Sequence, residues 1–290
     1  MRLALVAARR TTTNDGLARA SGGAWEELTP DRALAELRFG DVALGRLDVL
    51  PTLDGMDDGL WALSALAARG VVVLNHPAAL VATHDKLSTA RILRRHRLPH
   101  PRTQLVREGE PVPLVGRDVV LKPRFGSWGL EVTRCEGPAA LVRELERVRE
   151  TDWFRRHGAL VQELVPPQGY DLRILVAARR AVGATYRVAA AGEWRTNVAL
   201  GGVRRPVAEL PCEAAALAVE AAWATGAALV GVDLLPDGRG GWTIVELNGA
   251  VEFTRGYAPW GDVFAETARL LANEALERLA SRDEHASAAV

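Results

Sequence analysis

The sequence predicts an α/β fold, and three observations carry this prediction. Short apolar strand candidates alternate with helical patterns over residues 1–83, an order that favours a mainly parallel sheet. Towards the C-terminus, two strongly apolar strand candidates flank the glycine-rich turn Pro236–Gly241. The 290 residues are 48% apolar and 25% charged, so the chain can bury a sizeable core beneath an ordinary charged surface.

Residues 1–83 are predicted to form the first unit. Its apolar start is too short for a signal peptide because Arg9 and Arg10 end it, and a buried first strand explains it better. A helix is predicted at Gly59–Arg69, where apolar side chains recur on one face. The strands predicted for this unit are Leu3–Ala7, Val42–Leu44 and Val71–Leu74.

Residues 84–157 are predicted to form a central unit and residues 158–280 a third unit. In the central unit, a helix over residues 85–98 ends before Pro99 and Pro101. The other elements predicted there are the strands Gln104–Val106 and Val119–Lys122 and the helix Pro138–Arg149. The third unit is predicted to contain the strands Ala159–Leu164, Leu172–Ala177, Ala181–Val188, Leu229–Leu235 and Trp242–Leu247 and the helices Cys212–Thr225 and Val263–Leu279. The tail over residues 281–290 is small and polar, so it is predicted to be frayed and flexible.

Composition excludes several classes of function. The formal net charge is zero and no long run of like charges is present, so neither a nucleic-acid partner nor a membrane surface is expected. No apolar run reaches membrane-spanning length. Cys135 and Cys212 lack the spacing of a metal site or a disulfide framework, which favours a reducing compartment and a cytoplasmic protein.

The chain has only two lysines, Lys86 and Lys122, against 34 arginines. Lysine presents a compact point charge that suits contact with a phosphate, so these two positions are candidate phosphate ligands. Lys122 ends an apolar strand and precedes a turn containing Gly126 and Gly129, whose backbone N–H groups can approach phosphate oxygens. The alternatives are a composition biased against lysine and an ordinary hairpin turn.

Asp233, Glu246 and Asn248 are candidate ligands of a metal ion. Alternation along a strand places Glu246 and Asn248 on one face, and Asp233 joins that face if the two flanking strands pair. Two carboxylates and an amide oxygen suit Mg²⁺, which bridges nucleotide phosphates. The alternative, strand carboxylates at a sheet edge, is disfavoured because both carboxylates lie within apolar strands, where an unpaired charge is costly.

Two further polar segments are candidate binding elements. Asp171 and Arg173 alternate on one strand face with Arg187 on the next strand, and they either contribute to a site or neutralise one another as a structural ion pair. The segment Trp194–Gly202 carries polar groups followed by two glycines, which suits a loop lying against an anion. The chain has neither a Walker P-loop nor a dinucleotide fingerprint, and it lacks the H-E-x-x-H and G-x-S-x-G motifs.

Taken together and in this order, these segments resemble the RimK-type branch of the ATP-grasp ligases, roughly from Val71 to Leu271. The resemblance implies an ATP-grasp fold built of α/β and α+β subdomains. Residues 1–83 would be a Rossmann-like pre-ATP-grasp domain, and residues 84–157 the central ATP-grasp subdomain. Residues 158–280 would be the C-terminal ATP-grasp subdomain with the metal site.

The resemblance also implies a role for each matching residue. Lys86, Lys122 and Arg195 would hold phosphates, and Asp171 would lie near the ribose. Arg173 and Arg187 would steer the donor carboxylate or stabilise the acyl phosphate, so these two and Arg195 are the candidate catalytic residues. The other nucleotide-binding residues would be the phosphate-covering loop (Gly126, Ser127, Trp128, Gly129), the adenine hinge (Gln162, Glu163, Leu164, Val165) and the pair Thr196 and Asn197. Asp233, Glu246 and Asn248 would bind Mg²⁺ or Mn²⁺.

The activity implied by the resemblance is ATP-dependent joining of a carboxylate to an amine through an acyl phosphate, with release of ADP and phosphate. The substrates would be an amino acid resembling glutamate and a peptide, carrier protein or small molecule. Two features bear on these substrates: Leu200 stands where many relatives have arginine, and Asn248–Phe253 resembles a stretch of the LysX-type enzymes. A non-catalytic ATP-binding regulator and a dipeptide ligase of another ATP-grasp branch are the alternatives, and a homo-oligomer is left open.

Overall fold

The computed structural model describes residues 1–50, 52–111, 118–258 and 261–288, with side chains through Arg282. Within these ranges the strands form three sheets, two of four strands and one of five. The first sheet is parallel and the other two are antiparallel. The predicted α/β fold is therefore confirmed, with the parallel sheet in the N-terminal part of the chain.

The N-terminal unit is a parallel sheet with strand order β2-β1-β3-β4. Its elements are β1 (Leu3–Val6), α1 (Thr12–Ala20), β2 (Trp25–Leu28), α2 (Pro30–Glu36), β3 (Val42–Gly45), α3 (Leu60–Ala68), β4 (Val72–Leu74) and α4 (Pro77–His84). The three predicted strands and the predicted helix are present, whereas α1, β2, α2 and α4 were not predicted. Strand β2 has two glutamates between the buried Trp25 and Leu28, so it lacks the apolar run that marks its neighbours.

The central unit is an antiparallel sheet with strand order β5-β8-β6-β7. Its elements are α5 (Lys86–Arg95), β5 (Thr103–Val106), β6 (Val119–Pro123), β7 (Thr133–Cys135), α6 (Gly137–Val148), α7 (Asp152–His157) and β8 (Ala159–Glu163). Strand β8 pairs with both β5 and β6, so this sheet continues across the boundary predicted between residues 157 and 158. Asp85 caps α5, because its side chain accepts a hydrogen bond from the Leu87 amide.

The C-terminal unit is an antiparallel sheet with strand order β11-β10-β9-β12-β13. Its elements are β9 (Tyr170–Ala177), β10 (Arg180–Val188), β11 (Val203–Pro206), α8 (Cys212–Thr225), β12 (Leu229–Pro236), β13 (Trp242–Asn248) and α9 (Val263–Ala288). The two predicted strands that correspond to β9 and β10 form a hairpin, with Ala177 opposite Arg180. Strands β12 and β13 also pair as predicted. A β-bulge leaves Val245 as an extra, unpaired residue between the Asp233–Glu246 and Leu234–Ile244 pairs.

Helix α9 continues to Ala288 rather than ending at Leu279. The tail from Ser281 is therefore helical as far as Ala288, its flexibility stays a prediction, and residues 289 and 290 lie outside the described residues. The physical reason is that this stretch contains alanine, glutamate and arginine but no glycine or proline to stop a helix. The Arg282 side chain also donates a hydrogen bond of 3.0 Å to the Gly70 carbonyl.

One hydrophobic core joins the beginning and the end of the chain. Leu5, Leu17 and Trp25 of the N-terminal unit pack in the same cluster as Phe264 and Leu271 of α9. A loop of the N-terminal unit also enters the central unit, where Leu53 packs in a cluster with core residues of β6 and β8. Among the described residues, none of the helices combines the length and the apolar character needed to span a membrane.

Candidate active site

A cleft of about 1050 Å³, including space open to solvent, lies between the central and C-terminal sheets. Sixteen of the predicted site residues line it: Lys86, Lys122, Gly126, Ser127, Gly129, Gln162, Glu163, Leu164, Val165, Asp171, Arg187, Arg195, Thr196, Asn197, Asp233 and Glu246. Trp128, Arg173 and Asn248 are not part of the lining. Residues that are far apart in sequence therefore meet at one concave surface, as a ligand site requires.

Lys86 connects the loop Gly126–Gly129, the glycine-containing loop, to strand β13. Its Nζ lies 3.0 Å from Glu246 Oε1 and donates a hydrogen bond to the Gly126 carbonyl. The side chain is 11% exposed, so this cation is largely withdrawn from solvent but still faces the cleft. Its position at the first turn of α5 follows from the Asp85 cap, which fixes where the helix begins.

Asp85 also fixes Arg124, which lies just before the glycine-containing loop. Its carboxylate accepts two hydrogen bonds from the Arg124 guanidinium, of 2.7 and 2.5 Å, and one of 2.6 Å from Ser88. Burial alone would raise the pKa of Asp85, but the Arg124 and Ser88 hydrogen bonds outweigh it and lower that pKa. The start of α5 and the start of the loop are therefore tied together by one buried carboxylate.

Lys122 is buried at the base of the cleft. Its Nζ donates a hydrogen bond of 2.7 Å to Gln162 Oε1. Burial lowers the pKa of Lys122 to about 8; nearby Glu246 opposes this shift and Lys86 adds to it. The buried ammonium group donates to a neutral amide, which makes it a favourable position for an anion.

His100 and Thr103 complete this arrangement, and the sequence analysis missed both. Gln162 Nε2 donates to Thr103 Oγ1 over 2.7 Å and lies 3.3 Å from His100 Nε2. His100 Nδ1 in turn lies 2.8 Å from the Ile244 carbonyl, so Nδ1 carries the proton and Nε2 accepts. Burial and the nearby Lys122 lower the pKa of His100 to about 4. The only sequence signal was its position between two prolines, which does not distinguish it from a linker residue.

Gln162 therefore contributes its side chain to Lys122, in addition to the backbone role that the resemblance implies. Of the remaining hinge residues, Glu163 ends strand β8, and Leu164 and Val165 follow it. Leu164 N donates to the Asp118 carbonyl over 3.2 Å. No backbone hydrogen bond joins Val165 to another residue of the described ranges. The N–H and C=O groups of Val165 thus lie beside the cleft and can form hydrogen bonds to a ligand.

A buried network of charges lies on the cleft face of the C-terminal sheet. Arg173 donates two hydrogen bonds to Asp233, of 2.6 and 2.7 Å, and Arg187 donates a third of 2.7 Å. Arg187 also donates two hydrogen bonds to Asp171, one of them of 2.8 Å, and Thr196 Oγ1 donates another of 2.5 Å. The four charged side chains therefore neutralise one another, and none of them is more than 17% exposed.

The alternative of an Asp171–Arg173 ion pair is wrong. Each side chain instead pairs with the residue directly opposite it: Asp171 with Arg187 on β10, and Arg173 with Asp233 on β12. Directly opposite residues share a face at close range, whereas successive same-face residues on one strand are farther apart. Burial alone would raise the pKa of Asp233, but Arg173 and Arg187 keep it well below its usual range.

Arg195 connects its own loop to the glycine-containing loop. Its Nη1 donates to the carbonyls of Gly129 and Val132 over 3.1 and 3.2 Å, while Nε and Nη2 donate to Glu193 over 3.0 and 2.8 Å. Hydrogen bonds from Arg195 lower the pKa of Glu193 to about 2. Arg195 therefore holds the loop, and its guanidinium would have to exchange partners to contact a phosphate.

The glycine-containing loop meets Asn197 and Leu200 at Gly129. Gly129 has a φ of +75°, and a Cβ at this position would lie 2.7 Å from Asn197 Oδ1 and 3.0 Å from Leu200 Cδ1. Only glycine fits this close approach without displacing a neighbour. Trp128, in contrast, is 44% exposed and lies outside the cleft lining.

The three predicted metal ligands occupy one end of the β12–β13 hairpin. Asp233 lies opposite Glu246 and Gly231 lies opposite Asn248, as the predicted pairing requires. Asn248 Nδ2 is buried without a hydrogen-bond partner among the described residues. Rotating the amide would place its oxygen at that position, so the donor set fits a hard cation once Lys86 releases Glu246 and the two arginines release an oxygen of Asp233. No group of three His, Cys, Asp or Glu side chains that would hold a metal occurs in the described part of the chain.

Comparison with known proteins places the chain in a family. Residues 83–258 match the RimK-like ATP-grasp domain. The chain belongs to the RimK-like ATP-grasp family. A crystal structure of a RimK domain ATP-grasp protein from Sphaerobacter thermophilus is similar with a TM-score of 0.66 at 21% identity, over 93% of this chain and 99% of that chain. The predicted ATP-grasp fold is thereby confirmed.

Curated members of this family with similar sequences are named as ligases. A tetrahydromethanopterin:alpha-L-glutamate ligase of Methanosarcina acetivorans is 31% identical over 221 residues, which cover 68% of this chain and 66% of that protein. An alpha-aminoadipate–LysW ligase LysX of Saccharolobus solfataricus is 30% identical over 188 residues, covering 63% of this chain and 68% of that protein. The chain thus spans about two thirds of the length of these RimK-like ligases.

Proposed function

We propose that this RimK-like chain is an ATP-dependent carboxylate–amine ligase that releases ADP and phosphate. One observation carries the proposal: both lysines of the chain line a single cleft together with Glu246 of the predicted metal site. A chain with 34 arginines has no general preference for lysine, so a shared position in one cleft favours a common role at phosphates.

The nucleotide would lie along the cleft between the two antiparallel sheets. Val165 and its neighbours beyond β8 would hold the adenine, and Lys122 and Lys86 would contact the phosphates. The loop Gly126–Gly129 would cover those phosphates, and Arg195 ties it to the C-terminal unit. When bound, Mg²⁺ or Mn²⁺ held by Asp233, Glu246 and Asn248 would neutralise charge on the phosphate oxygens.

In the proposed reaction, a carboxylate oxygen attacks the γ-phosphorus of ATP, and the bond between the γ-phosphorus and the bridging oxygen breaks to give an acyl phosphate and ADP. An amine then attacks the acyl carbon and phosphate leaves, so an amide forms. Positioning and charge stabilisation are the main contributions that such chemistry needs from the protein. Arg187 lines the cleft, and its forked donors would suit a carboxylate or acyl phosphate once they exchange their present partners Asp171 and Asp233. Water must be excluded because it would hydrolyse the acyl phosphate.

The names of the relatives support an amino-acid substrate. One is a glutamate ligase and the other acts with alpha-aminoadipate and LysW. Both names contain an amino acid with a second carboxylate on its side chain. We therefore infer that this chain joins a glutamate-like amino acid to a peptide, carrier protein or small molecule.

Nucleotide product analysis tests the proposal. The full chain is incubated with Mg²⁺, ATP and mixtures of amino acids with peptides or cell extract, and ADP and AMP are quantified. Substrate-dependent ADP is expected, and it should disappear in Lys122→Met. The control is Arg134→Met, which removes a cation from an exposed pair on β7 outside the cleft. AMP in place of ADP, or full turnover by Lys122→Met, would overturn the proposed reaction.

A further inference from the structure

The connection between β3 and α3 forms an arm that extends from the N-terminal unit, and the proposed reaction does not yet use it. Its described residues are 48–50 and 52–57. Val49 and Met56 form an antiparallel bridge near its base. There Asp57 N donates to the Asp48 carbonyl over 2.7 Å, and Asp48 N donates to Asp57 Oδ2 over 3.1 Å. The two sides of the arm are therefore joined where it leaves the N-terminal unit.

Leu53 lies at the tip of the arm, but its side chain is buried in another unit. It is 8% exposed and packs in one cluster with Val119, Trp153 and Val161 of the central unit. Its φ is +63°, in the left-handed region that glycine and asparagine adopt readily and leucine does not. Such a conformation persists only where surrounding contacts hold it. The contacts of the Leu53 side chain therefore outweigh the cost of this turn.

The Leu53 side chain supports Gly126 of the glycine-containing loop. A Cβ on Gly126 would lie 2.6 Å from Leu53 Cδ2, and the next residue near that position in the described part of the chain, Pro123, is 4.0 Å away. The Gly126 carbonyl accepts a hydrogen bond from Lys86 Nζ. One peptide of the loop thus meets both a side chain of the N-terminal unit and a proposed phosphate ligand.

The arm has a second attachment beside the loop. Asp54 Oδ1 accepts a hydrogen bond of 2.8 Å from Arg156 Nη1 on helix α7. The next residue of that helix, His157, packs edge to face against Phe125, with 5.0 Å between the ring centroids. Phe125 directly precedes Gly126. The arm therefore contacts the loop directly and is also fixed to the helix that supports the residue before it.

We infer that Leu53 is a positioning residue for the glycine-containing loop, and that the arm makes the order of this loop depend on the N-terminal unit. This inference rests on the proposed function, because it assigns a support to the loop that would cover the phosphates. With Leu53 against Gly126, the loop is preorganised to bind phosphate. If the N-terminal unit shifts, Leu53 leaves Gly126 and the loop loosens, so water gains access to the phosphates. The alternative is that Leu53 only fills the core of the central unit.

Amide exchange and nucleotide binding separate these two roles. Leu53→Ala removes the contact with Gly126. Leu141→Ala is the matched control, because Leu141 is buried in the same cluster on α6 but is not among the residues near Gly126. Both variants lose the same atoms from one hydrophobic cluster. Exchange of residues 125–129 is followed by mass spectrometry, and calorimetry gives the affinity of the full chain for the non-hydrolysable analogue AMPPNP with Mg²⁺.

We expect Leu53→Ala to speed exchange of residues 125–129 about tenfold and to weaken AMPPNP binding about fivefold, because an unsupported loop must be ordered on binding. Leu141→Ala should lower the melting temperature and leave exchange of residues 125–129 and AMPPNP affinity near wild type. Leu53→Met keeps a similar volume at the tip of the arm and should restore both values.

A surface variant keeps the inference testable if Leu53→Ala does not fold. Asp54→Ala removes the ion pair with Arg156, and Glu150→Ala is its control because it removes the other exposed ion pair of α7, with Arg155. Asp54→Ala should speed loop exchange and weaken AMPPNP binding by about twofold, as expected for an exposed pair, and Glu150→Ala should change neither.

Three results would overturn the inference: unchanged loop exchange in Leu53→Ala, equal acceleration in Leu53→Ala and Leu141→Ala, and faster exchange without any loss of AMPPNP affinity. Failure of AMPPNP to bind the wild type would instead contradict the proposed function. In that case, loop exchange in the nucleotide-free variants decides by itself whether Leu53 positions the loop.

Discussion

Lys122 Nζ donates a 2.7 Å hydrogen bond to Gln162 Oε1 although the two residues are not opposite one another. Across β6 and β8, Lys122 faces Leu160 and Gln162 faces Val120, so the contact is diagonal. Long side chains reach such diagonal neighbours. Since Thr103 and His100 fix the other end of the Gln162 amide, the direction of the ammonium group depends on residues that never touch the cleft.

ATP binding should weaken above pH 8. The pKa of Lys122 is lowered to about 8 by burial, so raising the pH through this value removes the positive charge from the ligand-free protein. At pH 9 the dissociation constant for ATP should be about tenfold higher than at pH 7. Lys122→Arg stays charged and should give a flat profile over this range. A wild-type constant that does not change between pH 7 and pH 9 would contradict the assignment.

His100 should make the fold sensitive to acid. Its pKa is about 4 in the folded chain against 6.5 in the unfolded chain, so the unfolded state binds more protons between these values. The free energy of unfolding should therefore fall as the pH drops from 6.5 to 4, by up to about 3 kcal/mol. Urea denaturation of wild type and His100→Gln measures this: the variant should lose less stability over that range. His96→Gln, at an exposed position, should follow the wild type.

Asp233 and Glu246 should differ in what their removal does to stability. Asp233→Ala leaves Arg173 and Arg187 buried without their shared carboxylate, which costs about 3–5 kcal/mol. Glu246 is 25% exposed and pairs with Lys86, so Glu246→Ala should cost about 1 kcal/mol or less. Urea denaturation checks the difference. Equal losses in the two variants would mean that the Asp233 network contributes little to stability. Because its expected loss of stability is small, Glu246→Ala is the cleaner variant for testing metal-dependent ATP turnover.

Arg195 should hold the glycine-containing loop in place. Arg195→Ala removes the hydrogen bonds to the Gly129 and Val132 carbonyls, so residues 125–132 should exchange amide hydrogens faster, by about tenfold for a lost bond of ordinary strength. Gly129→Ala should have the same effect because its Cβ would press on Asn197. Exchange monitored by mass spectrometry gives the rates, with Arg134→Ala as the control. Unchanged exchange in both loop variants would show that other contacts fix the loop.

Much of the architecture could be predicted because it depends on local patterns. The apolar runs of β12 and β13 and the glycine-rich turn between them predicted the pairing that sets Asp233 opposite Glu246. Alternation along β9 correctly placed Asp171 and Arg173 on one face. In each case, periodicity and turn chemistry within about twenty residues contain the necessary information.

What could not be predicted depends on contacts between distant segments. No local pattern marks His100, whose role comes from Gln162 on β8 and from the Ile244 carbonyl on β13. The hydrogen-bond partners of the arginines also depend on distant segments. Arg187 on β10 contacts both Asp171 on β9 and Asp233 on β12 because of the register of these three strands. Helix α9 extends beyond its predicted end at Leu279 because the following residues favour helix. The polar composition from Ser281 had instead predicted a frayed tail.

The core shared by the two ends of the chain limits how this protein can be divided. The segment that matches the family, residues 83–258, contains the cleft but neither the first sheet nor α9. Expressing that segment alone would uncover Val251 and Phe253, which pack in the shared cluster, and would remove Leu53 from its place against Gly126. A minimal catalytic fragment should therefore be insoluble or unable to order its phosphate loop, so dissection of this protein is better done by point substitution than by truncation.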